Sequence, residues 1–232
     1  MFKLSPTKLA ILEDCPRCFW LDVVKGIERP RGAFPSLPSG VDKLLKEHFD
    51  RFRDRDDLPP ELKEHNINAN LFADRALLKK WRNNFGGIEY YDKEHDVLLH
   101  SAVDNILEKD GKLIVLDYKT RGFALKEDTS KHYQNQLDIY NFLLRKNGFQ
   151  THDYAYLLFY VPAGILETGE FIFKTDLVEM KIDVSSAESL FKRSEEIIKS
   201  GMPDPDSTCE YCGWAKKTNF RGNQISFHGF DT

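Results

Sequence analysis

Between Ser101 and Arg121 the chain reads SAVDNILEKDGKLIVLDYKTR, with apolar runs on either side of Asp110-Gly111. That dipeptide tolerates the positive φ angles of a two-residue type I′ loop, so the pattern predicts a β-hairpin. If Lys109 and Lys112 close the loop, Glu108 faces Leu113, Leu107 faces Ile114, Ile106 faces Val115 and Asn105 faces Leu116. Asp104 then faces Asp117. Cross-strand neighbours sit ~4.5–5.5 Å apart at Cβ, where like charges repel, so a structural reason for two facing carboxylates is hard to find. A divalent cation reverses the sign of that interaction. Strand side chains alternate with period two, which puts Lys119 on the same face as Asp117.

The same patterning predicts the other elements. Ser5-Pro6 starts a first helix carrying Leu9, Ile11 and Leu12, which ends near Cys15-Pro16-Arg17-Cys18. Arg29–Ser39, with Pro30, Pro35 and Pro38, reads as an extended connection. Gly40–Asp54 is a predicted helix with Val41, Leu44, Leu45, Phe49 and Phe52 on its apolar side; His48 falls on that stripe, as a packed core residue or as a metal ligand. Asp56–Asn68 reads as linker and Asn70–Asn83 as a second helix. Gly86-Gly87 breaks the chain before a strand at Ile88–Tyr91, which carries Glu89. A long helix is expected over Ser130–Lys146, where Gln136 and Tyr140 stand one turn apart on one face. Beyond it the pattern gives strands at Tyr154–Val161 and Glu167–Lys174 with Pro162-Ala163-Gly164 turning between them, and a third at Val178–Val184. A last helix runs from Ser185-Ser186 to Ser200, and Gly213–Thr232 reads as a loosely held tail.

Composition narrows the class. With 232 residues, 41% of them hydrophobic, the chain suits one domain or one domain with a helical insertion. No uninterrupted apolar stretch resembles a signal peptide or a membrane span, so a cytoplasmic location is the default expectation. A net charge of −4 and a pI near 6.0 argue against a nonspecific nucleic-acid coat. An enzyme acting on nucleic acid would need only a local basic track, to which Arg51-Phe52-Arg53 and Lys79-Lys80-Trp81-Arg82 are candidates, unless they are merely solvated helix faces. There is no phosphate-loop signature G-x-x-x-x-G-K-[ST].

All four cysteines fall in two C-x-x-C pairs, Cys15/Cys18 and Cys209/Cys212, one near each end. In a cytosolic protein this is a metal-binding pattern before it is a disulfide framework. Four thiolates suit structural Zn²⁺ or a 4Fe-4S cluster, and either would join the two ends of the chain.

Asp104, then Asp117-Tyr118-Lys119 at the end of an apolar strand, resembles the core of the PD-(D/E)XK nucleases. The longer DYKT, with QLDIY (Gln136 and Tyr140) on the following helix, is similar to their RecB-like exonuclease branch. The resemblance implies an α/β fold, a restriction-endonuclease-like core of mixed β-sheet flanked by helices, with an N-terminal helical region. It implies a single nuclease domain over residues 1–215, divided into a helical part to about 85, a sheet core over about 86–184, and a helix with the cysteine knuckle over 185–215. Residues 216–232 would be the tail. Asp104, Asp117 and the Tyr118 backbone carbonyl would bind Mg²⁺ or Mn²⁺, Lys119 would act on water or phosphate, and Gln136 and Tyr140 would hold the strand or the site.

The first-motif ligand in such relatives is a histidine, implying His48. They usually carry glycine one turn before it, whereas here Leu44 stands there and Gly40 lies two turns back. Asp42, Glu47 or water are the alternatives. For the cysteines the resemblance favours 4Fe-4S, as in helicase-associated and CRISPR-associated relatives, while the knuckle spacing alone favours zinc. Those relatives contribute one cysteine from the N-terminal side and three from the C-terminal side. Here the count is two and two, and Cys18 must substitute for the missing one. The implied activity is exonucleolytic hydrolysis of single-stranded or end-containing DNA in repair, recombination or CRISPR adaptation, with a helicase or a CRISPR adaptation protein as partner. The alternative is a non-catalytic nucleic-acid-binding or adaptor module stapled by its cysteines.

Overall fold

The computed structural model describes residues 1–219. Its centre is the hairpin of β5 (Asn105–Lys109) and β6 (Lys112–Thr120), which pair from Lys109↔Lys112 to Asn105↔Leu116 in the register read from the turn. Asp110 and Gly111 both have positive φ, as a type I′ loop requires. The hairpin belongs to a five-stranded mixed sheet of order β2-β5-β6-β7-β8, formed with β2 (Asn70–Leu71), β7 (Tyr154–Ile165) and β8 (Phe171–Lys181). β6 runs parallel to β7 and antiparallel to β5, so the strand carrying Asp117 and Lys119 is interior. A second sheet, β1-β4-β3, joins β1 (Phe2–Leu4), β4 (Val97–Ser101) and β3 (Ile88–Asp92).

Each face of the larger sheet buries its own core. Ile106, Leu113, Val115, Leu157 and Phe159 pack with Leu137, Tyr140 and Leu144 of α6 (Gln134–Lys146), and with Leu9 and Leu12 of α1 (Pro6–Asp14). Leu107, Ile114, Leu116, Tyr118 and Leu158 pack with Leu45 and Phe49 of α3 (Ser36–Arg53) on the other face. The period of two along β6 thus directs Asp117 and Lys119 towards the α6 side.

Several elements differ from the sequence reading, each for a local reason. Cys15 closes α1 and caps α2 (Pro16–Lys25), because Pro16 is tolerated at a first helical position, where its missing N–H costs nothing. The proline-rich connection gives way to helix at Ser36, with Pro38 in the first turn. The linker contains α4 (Pro60–Glu64). The helix expected from Asn70 starts only at Arg75 as α5 (Arg75–Trp81), where Asp74 accepts a hydrogen bond from the Leu77 N–H. Asn70–Leu71 instead pairs with β5. β1 and β4 were not legible as strands.

Three short strands after α6 prove to be one long β7–β8 hairpin. Pro162 lies inside β7, where the register slips between Pro162 and Gly164, and Gly169, at positive φ, lies in the turn. The expected third strand at Val178–Val184 is mostly the end of β8, and α7 (Val184–Lys199) begins behind an Asp183 cap. The tail from Gly213 is helical to Asn219 as part of α8 (Glu210–Asn219), and residues 220–232 lie outside the described region.

Candidate active site

Asp104 sits one residue before β5, and its carboxylate turns across to β6, where Oδ2 accepts a hydrogen bond from the Tyr118 N–H at 3.0 Å. Its backbone is held from behind. Arg82 Nε donates to the Asp104 carbonyl at 2.7 Å, while the Arg82 guanidinium pairs with Asp50. Arg53 pairs with the same Asp50 and donates to Asn105 Oδ1 at 2.5 Å; Asn105 in turn donates to the Tyr118 hydroxyl. Arg53 is buried and Arg82 nearly so, which corrects the expectation that they could form a basic track for nucleic acid. They hold the end of the hairpin in register. Arg51, Lys79 and Lys80 remain exposed.

Asp117 is 1% exposed at the end of β6. Lys119 Nζ approaches its Oδ2 at 2.5 Å, but the approach lacks hydrogen-bond alignment, and that buried oxygen has no hydrogen-bond partner among the described residues. Burial first, and then the charge of Asp104, push the Asp117 carboxyl up to about 7, against the opposing pull of Lys119. Lys119 donates to Gln136 Oε1 at 3.0 Å and lies 4.5 Å from the centre of the Tyr133 ring. The Gln136 amide donates to the Tyr140 hydroxyl. The i, i+4 relation on α6 therefore makes a relay of contacts, from Lys119 through Gln136 to the buried Tyr140. Gln136 and Tyr140 also line a cleft with His100, Ser101 and Asn84. Glu89, on β3, stands opposite His100.

A third carboxylate comes from α3. Lys46 Nζ lies 2.9 Å from Asp104 Oδ1 and 2.7 Å from Asp42 Oδ2. Burial and Asp104 raise the Asp42 carboxyl above its ordinary range, and Asp42 Oδ1 is another buried oxygen without a hydrogen bond among the described residues. Burial opposes the charge on Lys46, but Asp104 and Asp42 hold its ammonium above the usual lysine range. Lys46 escaped the sequence reading, although its i, i+4 spacing from Asp42 was a signal.

His48 does not join this group. Two residues from Lys46 is about 200° around a helix, so the two cannot share a face. Its Nε2 instead lies 3.0 Å from Glu61 Oε1, the same oxygen that accepts from the Tyr160 hydroxyl. Glu47 is exposed, which leaves Asp42 as the α3 carboxylate beside Asp104. The structure thus brings together Asp104, Asp117, Tyr118, Lys119, Gln136 and Tyr140, and leaves His48 out. The surplus of buried carboxylate oxygens fits a divalent cation, which prefers oxygen donors.

The four cysteines converge where the α1–α2 junction meets the start of α8 (Glu210–Asn219). Sγ–Sγ separations are 3.9 Å for Cys15–Cys212 and 3.6 Å for both Cys18–Cys209 and Cys18–Cys212. These are far too long for disulfides at ~2.05 Å. The Asp206 N–H points at Cys15 Sγ and Arg29 at Cys209 Sγ. Burial works against ionisation at Cys15, but the backbone N–H groups of Cys18 and Asp206 lower its thiol to about 7.

The arrangement is thus a mixed sheet flanked by helices, with Asp117 and Lys119 at the end of an interior strand and Asp104 beside them at the start of the neighbouring one. A family model described as the PD-(D/E)XK nuclease superfamily matches residues 3–216, and the chain belongs to that superfamily. Its chemistry is metal-dependent hydrolysis of nucleic-acid phosphodiesters, with DNA as substrate. No curated protein matches the chain. Among the described residues no helix is long and apolar enough to cross a membrane.

Proposed function

We propose that this chain is a Mg²⁺- or Mn²⁺-dependent DNA exonuclease of the RecB-like branch, acting on single strands or free ends. The observation that carries the reading is the buried, unbonded Asp117 oxygen beside Asp104 and Lys119, with Gln136 locked onto Lys119. Asp104, Asp117 and the Tyr118 carbonyl would hold the cation, with Asp42 in the place that His48 was expected to fill. A bound divalent cation supplies polarisation of the phosphodiester and acidification of water. Lys119 orients the attacking water or carries charge from the phosphoryl oxygens. Gln136 fixes the ammonium, and Tyr140 fixes Gln136. Repair, recombination or CRISPR adaptation, with a separate helicase or adaptation protein, is the setting that the resemblance implies.

For Cys15, Cys18, Cys209 and Cys212 we infer a structural zinc ion in place of the 4Fe-4S cluster. A tetrahedron of sulfurs ~2.3 Å from zinc has edges of ~3.8 Å, and the separations above bracket that length. A four-iron cluster binds each thiolate to a different iron and spreads them by its own breadth. The test incubates end-labelled single- and double-stranded DNA with Mn²⁺ or Mg²⁺ and wild type, Asp117→Ala or Lys119→Ala. Degradation progressing from ends and lost in both variants supports the reading. Equal inactivity of all three, with retained DNA binding, would favour the adaptor alternative. Zinc content and the absence of brown colour in the same samples test the cysteine assignment.

A further inference from the structure

Away from the nuclease site, the turn joining β3 to β4 carries Asp92 and His95, and Glu195 of α7 reaches it from about a hundred residues later. The turn lies at the opposite end of the β3–β4 ladder from Ser101, which lines the cleft beside Gln136 and Tyr140. At ~3.4 Å per strand residue, roughly 14 Å separates the two ends.

We propose that Asp92, His95 and Glu195 form a second metal site, of the class that takes Zn²⁺. One ligand atom from each residue lies within 4.8 Å of the others. His95 Nδ1 stands 3.3 Å from Asp92 Oδ2 and 3.8 Å from Glu195 Oε1. A tetrahedral zinc with bonds of ~2.0–2.2 Å to nitrogen and oxygen has edges of ~3.3–3.6 Å, which these separations match to within a few tenths of an ångström. Neither approach is a well-aligned hydrogen bond. His95 Nδ1 and Glu195 Oε1 are both buried with no hydrogen-bond partner among the described residues. Glu195 is only 5% exposed, so an unpartnered oxygen is aimed into the site from a side chain that water scarcely reaches.

The turn is built to present its two ligands. Asp92 Oδ1 accepts from the Glu94 and His95 N–H groups, which fixes the carboxylate and leaves Oδ2 for the site. Asp96, the next residue, is tied to the N-terminal amine of Met1 and to the Tyr91 hydroxyl. One imidazole and two carboxylates suit zinc better than magnesium, which prefers an oxygen-only octahedron. His95 and Asp92 are each about one-fifth to one-quarter exposed, so water can complete the coordination from the solvent side. The bound ion pins the β3–β4 turn to α7.

The test counts zinc without stripping the cysteine site. Wild type, Glu195→Gln and His95→Gln are incubated as purified with excess Zn²⁺, desalted and analysed for zinc per chain. The expected result is one equivalent fewer in each variant than in wild type. With Co²⁺ in place of Zn²⁺, the wild-type minus variant spectrum should show weak d–d bands and no thiolate charge-transfer band. Circular dichroism checks folding; if one variant unfolds, the other decides. Equal zinc counts in wild type and a folded variant would overturn the proposal and leave the three groups as a proton-sharing cluster.

Discussion

The carboxylate–lysine centre and the cysteine site are opposite solutions to placing ligands. The first takes Asp104, Asp117, Lys119, Gln136 and Tyr140 from a short stretch of chain, one hairpin and the next helix, with Asp42 added from α3. The second gathers Cys15 and Cys18 from α1–α2 and Cys209 and Cys212 from the C-terminal end. Removing a cation from the nuclease centre leaves the core packing untouched, because β6 is held by its ladder on both sides. If the cysteines hold the ion proposed for them, removing it would release the two ends of the chain from each other. One site spends stability on chemistry, and the other supplies it.

The largest expected effect is therefore at the cysteines. Cys209→Ser should lose the bound metal and lower the stability of the fold by several kcal/mol, since binding energy at such sites is folding energy. Thermal unfolding and metal analysis check it. Asp117→Asn should do the reverse, abolishing Mn²⁺-dependent cleavage by at least ~10²–10³-fold with no loss of stability. Its pH dependence has a defined sign. Because burial and Asp104 raise the Asp117 carboxyl to about 7 in the folded chain, the native state holds its proton more tightly than the unfolded one. The stability of wild type without added divalent cation then falls as pH rises from about 4 through about 7. Glu195, which burial and Asp92 also raise to about 7, gives a fall in the same window to both proteins, so Asp117→Asn should show a smaller fall than wild type, and urea unfolding at pH 4 and pH 8 measures the difference.

Smaller effects grade the inner structure of the centre. Lys119→Met should reduce cleavage by ~10²–10³-fold while leaving Mn²⁺ affinity near wild type. Gln136→Ala should cost only about 10- to 100-fold, the worth of one hydrogen bond to a charged group. The loss should fall on kcat and be partly restored by Gln136→Glu. An equal loss in Gln136→Ala and Lys119→Met would make Gln136 more than a positioning residue.

The same contrast explains what the sequence made legible. The hairpin register from Lys109↔Lys112 to Asn105↔Leu116 was readable because Asp110-Gly111 admits few turns and apolar residues flank both sides; the ladder stops there, so Asp104 reaches β6 through its side chain and not as the expected cross-strand partner of Asp117. That Gln136 and Tyr140 share a face could be read because helix spacing stacks i and i+4; the hydrogen bond from Lys119 on β6 to Gln136 could not, because no local pattern relates a strand end to the next helix. His48 packs against Phe49 and Phe52, as its place on the apolar stripe suggested, and its reading as a metal ligand came only from the resemblance; the stripe says which side of a helix is buried, not that the polar neighbour there is Glu61. Lys46 was passed over for the complementary reason, as a charged residue on a helix that reads as a solvated face. The long β7–β8 hairpin was cut short because Pro162 and Gly164 are turn residues in most settings, and only a register slip within a paired strand accommodates them. β1 and β4 are short, and β1 pairs parallel to β4, whose residues lie far along the sequence from it, a contact no local pattern carries.

The Gly86-Gly87 break holds a structural requirement of its own. Gly87 has φ +67°, and a Cβ there would fall 2.1 Å from the Ser101 carbonyl oxygen, so Gly87→Ala should destabilise the β3–β4 end by ~1–3 kcal/mol.

The most direct test of the central claim is titration of Mn²⁺ into wild type and Asp117→Asn, followed by electron paramagnetic resonance, with cleavage of end-labelled single-stranded DNA recorded on the same samples. The account predicts that wild type binds Mn²⁺ and degrades the DNA, and that Asp117→Asn, equally folded, does neither. Mn²⁺ bound equally by both proteins, or cleavage that survives the substitution, would contradict it.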